Sequence, residues 1–183
     1  LPLLFDFFKT HPNACLELRT KSVNIKELIK NPPLPNVITS FSLSPDTVAR
    51  THDLKTPSTK ARLVAMQKLD SLDFPIAIHL DPIIYQENFL KNYQQLFTDV
   101  QQHIDLTRLE YISIGVVRFP SHVYHQVQKN YPDSPLHRAE FITGTDGKIK
   151  YPRPMRLWIL NSVREICLSF GIAIDKIYFC MED

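Results

Sequence analysis

The chain has 183 residues, of which 44% are hydrophobic, and this is enough for one sizeable core, so we expect a single domain over residues 1–183. The formal net charge of +2 favours no class of partner, and the absence of an apolar run of about 18 residues excludes a predicted membrane span. Three widely spaced cysteines, Cys15, Cys167 and Cys180, form neither a disulfide framework nor a C-x2-C metal motif, which indicates a reducing, cytoplasmic setting.

Helical and strand patterns alternate along the chain. The first segment begins at Leu1 without a methionine and is typical of an amphipathic helix, so we expect a piece of a longer protein. The patterns predict helices over 1–10, 24–30, 56–72, 87–104, 120–132 and 154–172. They predict strands over 16–21, 37–44, 74–84, 111–119 and 176–183, and a β-hairpin near residues 140–151.

The strands share a pattern that favours a barrel over a sheet covered on both faces. Strands that are separated by helices imply crossover connections and a mainly parallel sheet. In the stretch LELRTKS the apolar residues alternate with three charges, whereas a parallel sheet with helices on both faces is usually apolar throughout. Five strands cannot close an eight-stranded barrel. The sequence therefore predicts the α/β class and an open, partial (β/α) barrel with a polar lumen and a β-hairpin insertion.

The candidate lumen residues are Glu17, Arg19, His79 and Asp81. Glu17 and Arg19 can form a structural ion pair, and His79 with Asp81 can form a hydrogen-bonded pair. Glu17, His79 and Asp81 together with Glu182 would also suit a divalent metal, because carboxylates and imidazole bind several such ions. The chain contains neither a G-x-S-x-G elbow nor a P-loop, so it carries no sequence motif for hydrolase or nucleotide-phosphate chemistry.

A basic segment runs from Arg118 to Arg156. It contains seven basic and three acidic residues, with Tyr131, Phe141 and Tyr151 interleaved among them. Cations can meet phosphates and aromatic rings can stack on bases, which makes nucleic acid a reasonable partner. A hairpin with its turn at Asp146-Gly147 could act as a wedge at a distorted duplex. The alternative is a solvated basic face without a function.

Six ordered segments carry a resemblance to a known family. LELRTKSVNI, SFSLSPDTV, TPSTKARL, FPIAIHLDPII, GKIKYPRPMR and YFCMED resemble the spore photoproduct lyase family of radical S-adenosylmethionine (SAM) enzymes. The resemblance implies a partial barrel, a [4Fe-4S] cluster that cleaves SAM, and a thymine-dimer lesion in DNA as the substrate. By position in these motifs, it implies SAM contacts at Lys21 and Ser42. The family's DNA-holding hairpin region resembles the segment around Lys148 to Arg156, which implies DNA contacts at Lys148, Lys150, Tyr151, Arg153 and Arg156. Arg118 of the basic segment is a further candidate DNA contact.

Two departures limit what the resemblance implies. The cluster motif C-x3-C-x2-C is absent, so we expect no cluster on this chain and no turnover by it alone. Asp81 stands where the founding spore enzyme lacks an acidic residue, and a carboxylate near a reacting centre changes the chemistry of the site. Two other functions stay open: a nucleic-acid-binding module without catalysis, and a divalent-metal-dependent barrel enzyme that uses His79 and Asp81.

Overall fold

The computed structural model describes residues 1–181, except for the side chain of Arg138. Glu182 of the hypothetical metal site therefore lies outside the described residues. The helices are α1 Pro2–Thr10, α2 Asp46–His52, α3 Thr59–Asp70, α4 Phe89–Gln101, α5 Ser121–Asn130 and α6 Arg153–Ser169. The strands are β1 Leu16–Thr20, β2 Val37–Ser42, β3 Ile76–Ile83, β4 Ile112–Val116, β5 Arg118–Pro120, β6 Ile142–Thr143, β7 Lys148–Lys150 and β8 Ile177–Phe179. Within residues 1–181, no helix is long and apolar enough to cross a membrane.

The main sheet has five strands in the order β1-β2-β3-β4-β8, and all neighbouring strands are parallel. Its outer face carries fully buried apolar residues such as Phe41, Ile78 and Ile114. The helices α3 and α6 pack on this face against β3 and β4, and α4 packs on α6. The core thus lies between one face of the sheet and the helices, as the alternating pattern predicts. The fold class, an open partial barrel, is confirmed.

Local sequence signals explain the boundaries of two helices that support the sheet. The hydroxyl of Ser58 accepts a hydrogen bond from the backbone N–H of Ala61 at 3.2 Å and thereby caps α3, as predicted. The helix α6 is followed by Gly171 at φ +82°, a left-handed conformation that glycine adopts without a steric penalty. Both helices turn apolar residues such as Met66 and Leu160 into the core.

Two predicted elements differ from the structure, and one helix of the structure has no counterpart in the predictions. Residues 24–30 form a turn instead of a helix, because the segment is too short to nucleate one before Pro32. The helix α2, which begins directly after Pro45, was not predicted. The predicted strand 111–119 is divided at Val117 into β4 and β5, which belong to different sheets.

The predicted hairpin is confirmed and forms part of a second sheet. The strands β6 and β7 pair antiparallel, and β5 adds to the other side of β7. The turn between β6 and β7 contains Gly147 at φ +72°, and the N–H of Gly144 donates to the carbonyl of Lys148 at 2.8 Å. The small sheet begins where β4 ends, so it stands at the C-terminal edge of the parallel sheet.

Candidate functional site

Polar side chains of four adjacent parallel strands share the inner face of the sheet. Strand pairing places Arg19 beside Ser40, Ser42 beside His79, and His79 beside Ser113. This brings together the four residues that the sequence predicts for the lumen, which are Glu17, Arg19, His79 and Asp81.

The deep end of this face contains a hydrogen-bonded cluster around Glu17. Its Oε1 accepts a bond from the Ser40 hydroxyl at 2.6 Å and lies 2.5 Å from Nε2 of His79. Burial alone would raise the pKa of Glu17, but hydrogen bonds from Ser40, Tyr111 and His79 hold that pKa below its ordinary value. Burial, together with the charge of Arg19, lowers the pKa of His79. Because a carboxylate can only accept, Nε2 of His79 is the donor in its bond to Glu17.

Two buried polar atoms of this face lack a hydrogen-bond partner among the described residues. They are Nδ1 of His79 and Oγ of Ser113, which lie on neighbouring strands in register. A buried polar atom without a partner costs about 1–3 kcal/mol, so native proteins usually satisfy it with water or a ligand. The inner face thus has places where a polar group would be stabilised.

The C-terminal end of the face is organised around Asp81. Arg19 donates to the Asp81 carbonyl at 2.9 Å, and its Nη2 lies 3.6 Å from the carboxylate. Arg118 contacts the same carboxylate at 3.3 Å from the other side. Gly115 leaves the space that Asp81 occupies, because a Cβ there would lie 2.8 Å from its carboxyl carbon. The guanidinium groups of Arg19 and Arg118 therefore balance the negative charge of Asp81, which the sequence predicts for the lumen.

The observed partners differ from the predicted pairs. Glu17 bonds to His79 instead of Arg19, and Asp81 pairs with Arg19 and Arg118 instead of His79. Adjacent strands lie about 4.8 Å apart, whereas residues two apart on one strand are separated by about 6.6 Å. Side chains therefore contact neighbours on the adjacent strand more readily than residues two positions away on their own strand.

The two residues that the resemblance assigns to SAM lie at the ends of β1 and β2. The Lys21 ammonium group pairs with Asp53, the residue that follows α2. The Ser42 hydroxyl accepts a bond from Nε of Arg19 at 3.3 Å. The carbonyl of Ser42 accepts a bond from Arg62, whose side chain is fully buried. Lys21 and Ser42 are thus connected through Asp53, which follows α2, and Arg62 of α3.

The hairpin carries part of the predicted DNA surface. Lys148 and Lys150 lie on β7 and are partly exposed, at 3.9 and 3.2 Å from the Asp146 carboxylate. Arg153 is exposed at the start of α6. Arg118 is half-buried at Asp81, so it lies between the lumen and this surface. DNA contact by Lys148, Lys150 and Arg153 therefore stays a prediction.

Tyr151 and Arg156, in contrast, lie inside the protein. The Tyr151 ring stacks on Phe141 with a centroid distance of 4.6 Å, and its hydroxyl accepts a bond from the N–H of Tyr85 at 3.2 Å. Arg156 is buried and donates to the Tyr151 carbonyl at 2.7 Å. The ring of Tyr151 is part of the core and supports the hairpin from below, and DNA contact by Tyr151 and Arg156 stays an untested prediction.

A cleft of about 620 Å³ lies beside the mouth of the face. Its floor is apolar and includes Ile84, Val117 and Phe119, and its rim includes His52 and Tyr131. Since Ile84 and Val117 follow β3 and β4, the cleft opens at the same C-terminal edge as Lys21.

The described residues do not fit a [4Fe-4S] cluster. Cys15 is exposed, Cys167 is buried in α6, and Cys180 follows β8, so the thiols belong to separate parts of the fold. Within residues 1–181, no group of three or more His, Cys, Asp or Glu side chains could hold a metal ion. The inner face does fit a polar ligand such as SAM, because it combines cationic groups with the unpartnered polar atoms of His79 and Ser113.

The family of the chain follows from its sequence match. The family model described as "Spore photoproduct lyase" matches residues 1–154. The chain belongs to the spore photoproduct lyase family. No curated protein matches the chain.

Solved structures of spore photoproduct lyase share the fold of this family member. The lyase complexed with dinucleoside spore photoproduct aligns at a TM-score of 0.73 and 19% identity, covering 91% of this chain and 51% of that chain. A cysteine mutant with the same dinucleoside aligns at 0.77 and 20% identity over 91% and 52%. A double mutant with bound AdoMet and the dinucleoside aligns at 0.73 and 19% identity over 90% and 50%. This chain spans about half the length of the lyases that it matches.

The list of candidate site residues from the sequence lacks four members of the site. Tyr111 and Ser113 stand on the polar side of the alternating pattern of β4, so the pattern contained a signal for them. Asp53 and Arg62 lie outside the strands, and a charge in a loop or helix carries no signal that it reaches the lumen. Their contribution became visible only from the contacts to Lys21 and Ser42.

Proposed function

We propose that this chain is part of a radical SAM lyase that acts on a thymine-dimer lesion in DNA. Membership of the spore photoproduct lyase family supports the class of reaction. The observation that carries the proposal is the polar inner face with cations at its C-terminal mouth, where partial barrels hold their ligands. A lyase of this fold has been solved with AdoMet and dinucleoside spore photoproduct bound together.

Lys21 and Ser42 are the proposed SAM contacts. The Lys21 ammonium can donate a charge-assisted hydrogen bond to the SAM carboxylate, and the Ser42 hydroxyl can hold a polar edge of the ligand. When bound at the family's cluster, SAM supplies a 5′-deoxyadenosyl radical. The residues of this chain bind and orient SAM, and the cluster would need ligands that the described residues do not provide.

The hairpin is the proposed DNA contact. Lys148, Lys150 and Arg153 present positive charge at the same edge of the sheet as the mouth, which suits the phosphates of a duplex. The turn at Gly147 projects from this edge and could separate the strands at a distorted site. Arg118 pairs with Asp81 and belongs to β5, so it connects this surface with the inner face.

Cleavage of SAM by the full-length protein, reconstituted anaerobically, tests the SAM site. We expect Lys21→Ala to weaken SAM binding about 10- to 100-fold, because a hydrogen bond to a charged group contributes about 1.5–3 kcal/mol. Lys26→Ala is the matched control, since Lys26 is exposed in the turn after β1. Unchanged SAM binding and cleavage by Lys21→Ala would remove this assignment.

A DNA-binding module without catalysis is the second candidate, and the exposed cations of the hairpin favour it. Fluorescence anisotropy with duplex DNA at several salt concentrations measures this binding. We expect Lys148→Ala with Lys150→Ala to weaken it and to reduce the salt slope by about 1 for each lost phosphate contact. Lys91→Ala, on the exposed side of α4, should leave both unchanged. Salt-dependent DNA binding without any SAM cleavage would favour this module over the lyase.

The metal-dependent alternative has less support. Nε2 of His79 is bonded to Glu17, and the Asp81 carboxylate is occupied by two guanidinium groups. A divalent ion would have to displace these partners. Elemental analysis of protein purified without chelators would need to find a stoichiometric divalent metal to restore this candidate.

A further inference from the structure

Asp53 and Arg62 form a charged unit next to the two proposed SAM contacts. We propose that Asp53, held by Arg62, is a positioning residue that fixes the Lys21 ammonium group to receive the carboxylate of SAM. This inference rests on the proposed function and extends it to Asp53, which follows α2, and to Arg62 of α3, neither of which contacts the ligand itself.

Arg62 is held rigidly inside the protein. Its side chain is fully buried, which is rare for arginine unless its donors are paired. Nε donates to the carbonyl of Pro57 at 3.0 Å and Nη2 donates to the Thr56 hydroxyl at 2.6 Å. Nη1 donates both to the carbonyl of Ser42 at 2.9 Å and to Oδ2 of Asp53 at 3.0 Å. The planar guanidinium group therefore fixes one side of the Asp53 carboxylate.

The other oxygen of that carboxylate holds Lys21. Oδ1 of Asp53 pairs with the Lys21 ammonium group, and the Asp53 side chain is only 11% exposed. A lysine side chain is long and flexible, so an unpaired ammonium group would sample many positions at the end of β1. An ammonium group has three N–H donors, and the pair with Asp53 uses one of them. Donors thus remain for an incoming carboxylate, at a position set by the protein.

The same unit sets the local charge and the position of Ser42. Lys21 and Arg62 contribute two positive charges and Asp53 one negative charge, so the cluster keeps a net positive charge that favours an anionic group. Because Arg62 also holds the carbonyl of Ser42, the ends of β1 and β2 are fixed relative to each other. The positions of Lys21 and Ser42 therefore both depend on the unit of Asp53 and Arg62.

Binding of SAM and of decarboxylated SAM to the full-length protein separates positioning from mere structural support. Equilibrium dialysis gives the two dissociation constants, whose ratio reports the carboxylate contact. We expect the wild-type protein to prefer SAM by about tenfold or more, and Asp53→Asn and Asp53→Glu to lose most of this preference. Asp53→Glu keeps a charge opposite Arg62 and shifts the carboxylate by one methylene group. Asp46→Asn, in the exposed pair with Arg50 on α2, is the control and should keep the preference.

The outcomes distinguish this inference from the proposed function. A variant at Asp53 that is folded by circular dichroism and keeps the wild-type preference overturns the positioning of Lys21. If the wild-type protein binds no SAM, the proposed function is overturned, and acetylation of Lys21 then decides the positioning alone. Mass spectrometry should show faster acetylation of Lys21 by acetic anhydride in Asp53→Glu than in the wild-type protein or Asp46→Asn. An unchanged acetylation rate would overturn the inference.

Discussion

At the scale of single residues, the position of Asp81 depends on the missing side chain of Gly115. A Cβ at Gly115 would lie 2.8 Å from both Cγ and Oδ1 of Asp81, well inside van der Waals contact. Arg19 and Arg118 hold the carboxylate from two sides, so it cannot move away without loss of ion pairs. We expect Gly115→Ala to lower the free energy of unfolding by about 1–3 kcal/mol, as other overpacking substitutions do. Urea denaturation measures this change.

A double-mutant cycle identifies the cause of that loss. In an Asp81→Ala background the two contacts at 2.8 Å are absent and only the Cβ of residue 81 remains, at 3.2 Å, so the added methyl of Gly115→Ala should cost less. Equal costs in both backgrounds would show that the carboxyl group of Asp81 is not the cause of the loss.

The pattern of single residues predicted one face of the site but not its pairs. Alternation placed Glu17, Arg19, His79 and Asp81 on the same side because the side-chain period of a strand is two residues. Which of them touch depends on the register of neighbouring strands. Alternation within one strand cannot determine this register. The bond from His79 to Glu17 therefore required the structure.

At the scale of elements, Arg118 joins the two sheets. Its backbone belongs to β5, which pairs with β7 of the hairpin, and its side chain reaches the Asp81 carboxylate of β3. We expect Arg118→Ala to leave the Asp81 carboxylate with one partner and to loosen the small sheet. Hydrogen exchange at the backbone amides of residues 148–150 should become faster by about tenfold for each 1.4 kcal/mol of lost local stability.

A control at the N-terminal ends of the parallel strands tests whether this effect is local. Arg108, which follows α4, pairs with Asp70 at the end of α3 and with Asp73 before β3. Arg108→Ala should leave exchange at residues 148–150 unchanged. Similar exchange in Arg118→Ala and the wild-type protein would mean that backbone pairing alone holds the hairpin.

Long elements with a clear period were predicted from the sequence, and short ones were not. The helices α4 and α6 bury residues at helical spacing, so their pattern is visible without the fold. The break at Val117 leaves an apolar sequence on both sides, so periodicity could not divide β4 from β5. The turn at 24–30 has the composition of a helix, but its few hydrogen bonds do not offset the free-energy cost of helix nucleation.

At the scale of the whole molecule, the partial barrel separates an apolar outer layer from a charged inner face. Among the described residues, β1 pairs only with β2 and β8 pairs only with β4, so both edges of the main sheet are open. The inner face satisfies most of its charges through pairs between strands, which costs less than leaving them unpaired in a half-buried site. This arrangement makes the stability of the molecule sensitive to protonation of the inner face.

The groups around His79 determine the direction of that sensitivity. Burial and the charge of Arg19 lower its pKa, while Glu17 and Asp81 act in the opposite direction and Tyr111 packs on its ring edge-on. In the unfolded chain the pKa of a histidine lies at its ordinary value of 6.5. As the pH falls through 6.5, the unfolded chain takes up a proton that the folded protein does not, so stability decreases until the lowered pKa of the folded state is reached.

We therefore expect the free energy of unfolding to fall as the pH is lowered from 7 through 6.5, with a slope of at most about 1.4 kcal/mol per pH unit for one histidine. Urea denaturation between pH 5 and 8 measures this slope, and His79→Gln should reduce it even if the variant is less stable throughout. The pKa of His52 is also lowered by burial, so His52→Gln shows the part that does not arise from the inner face. An unchanged slope in His79→Gln would mean that the pKa of His79 is the same in the folded and the unfolded protein, which contradicts the lowered pKa.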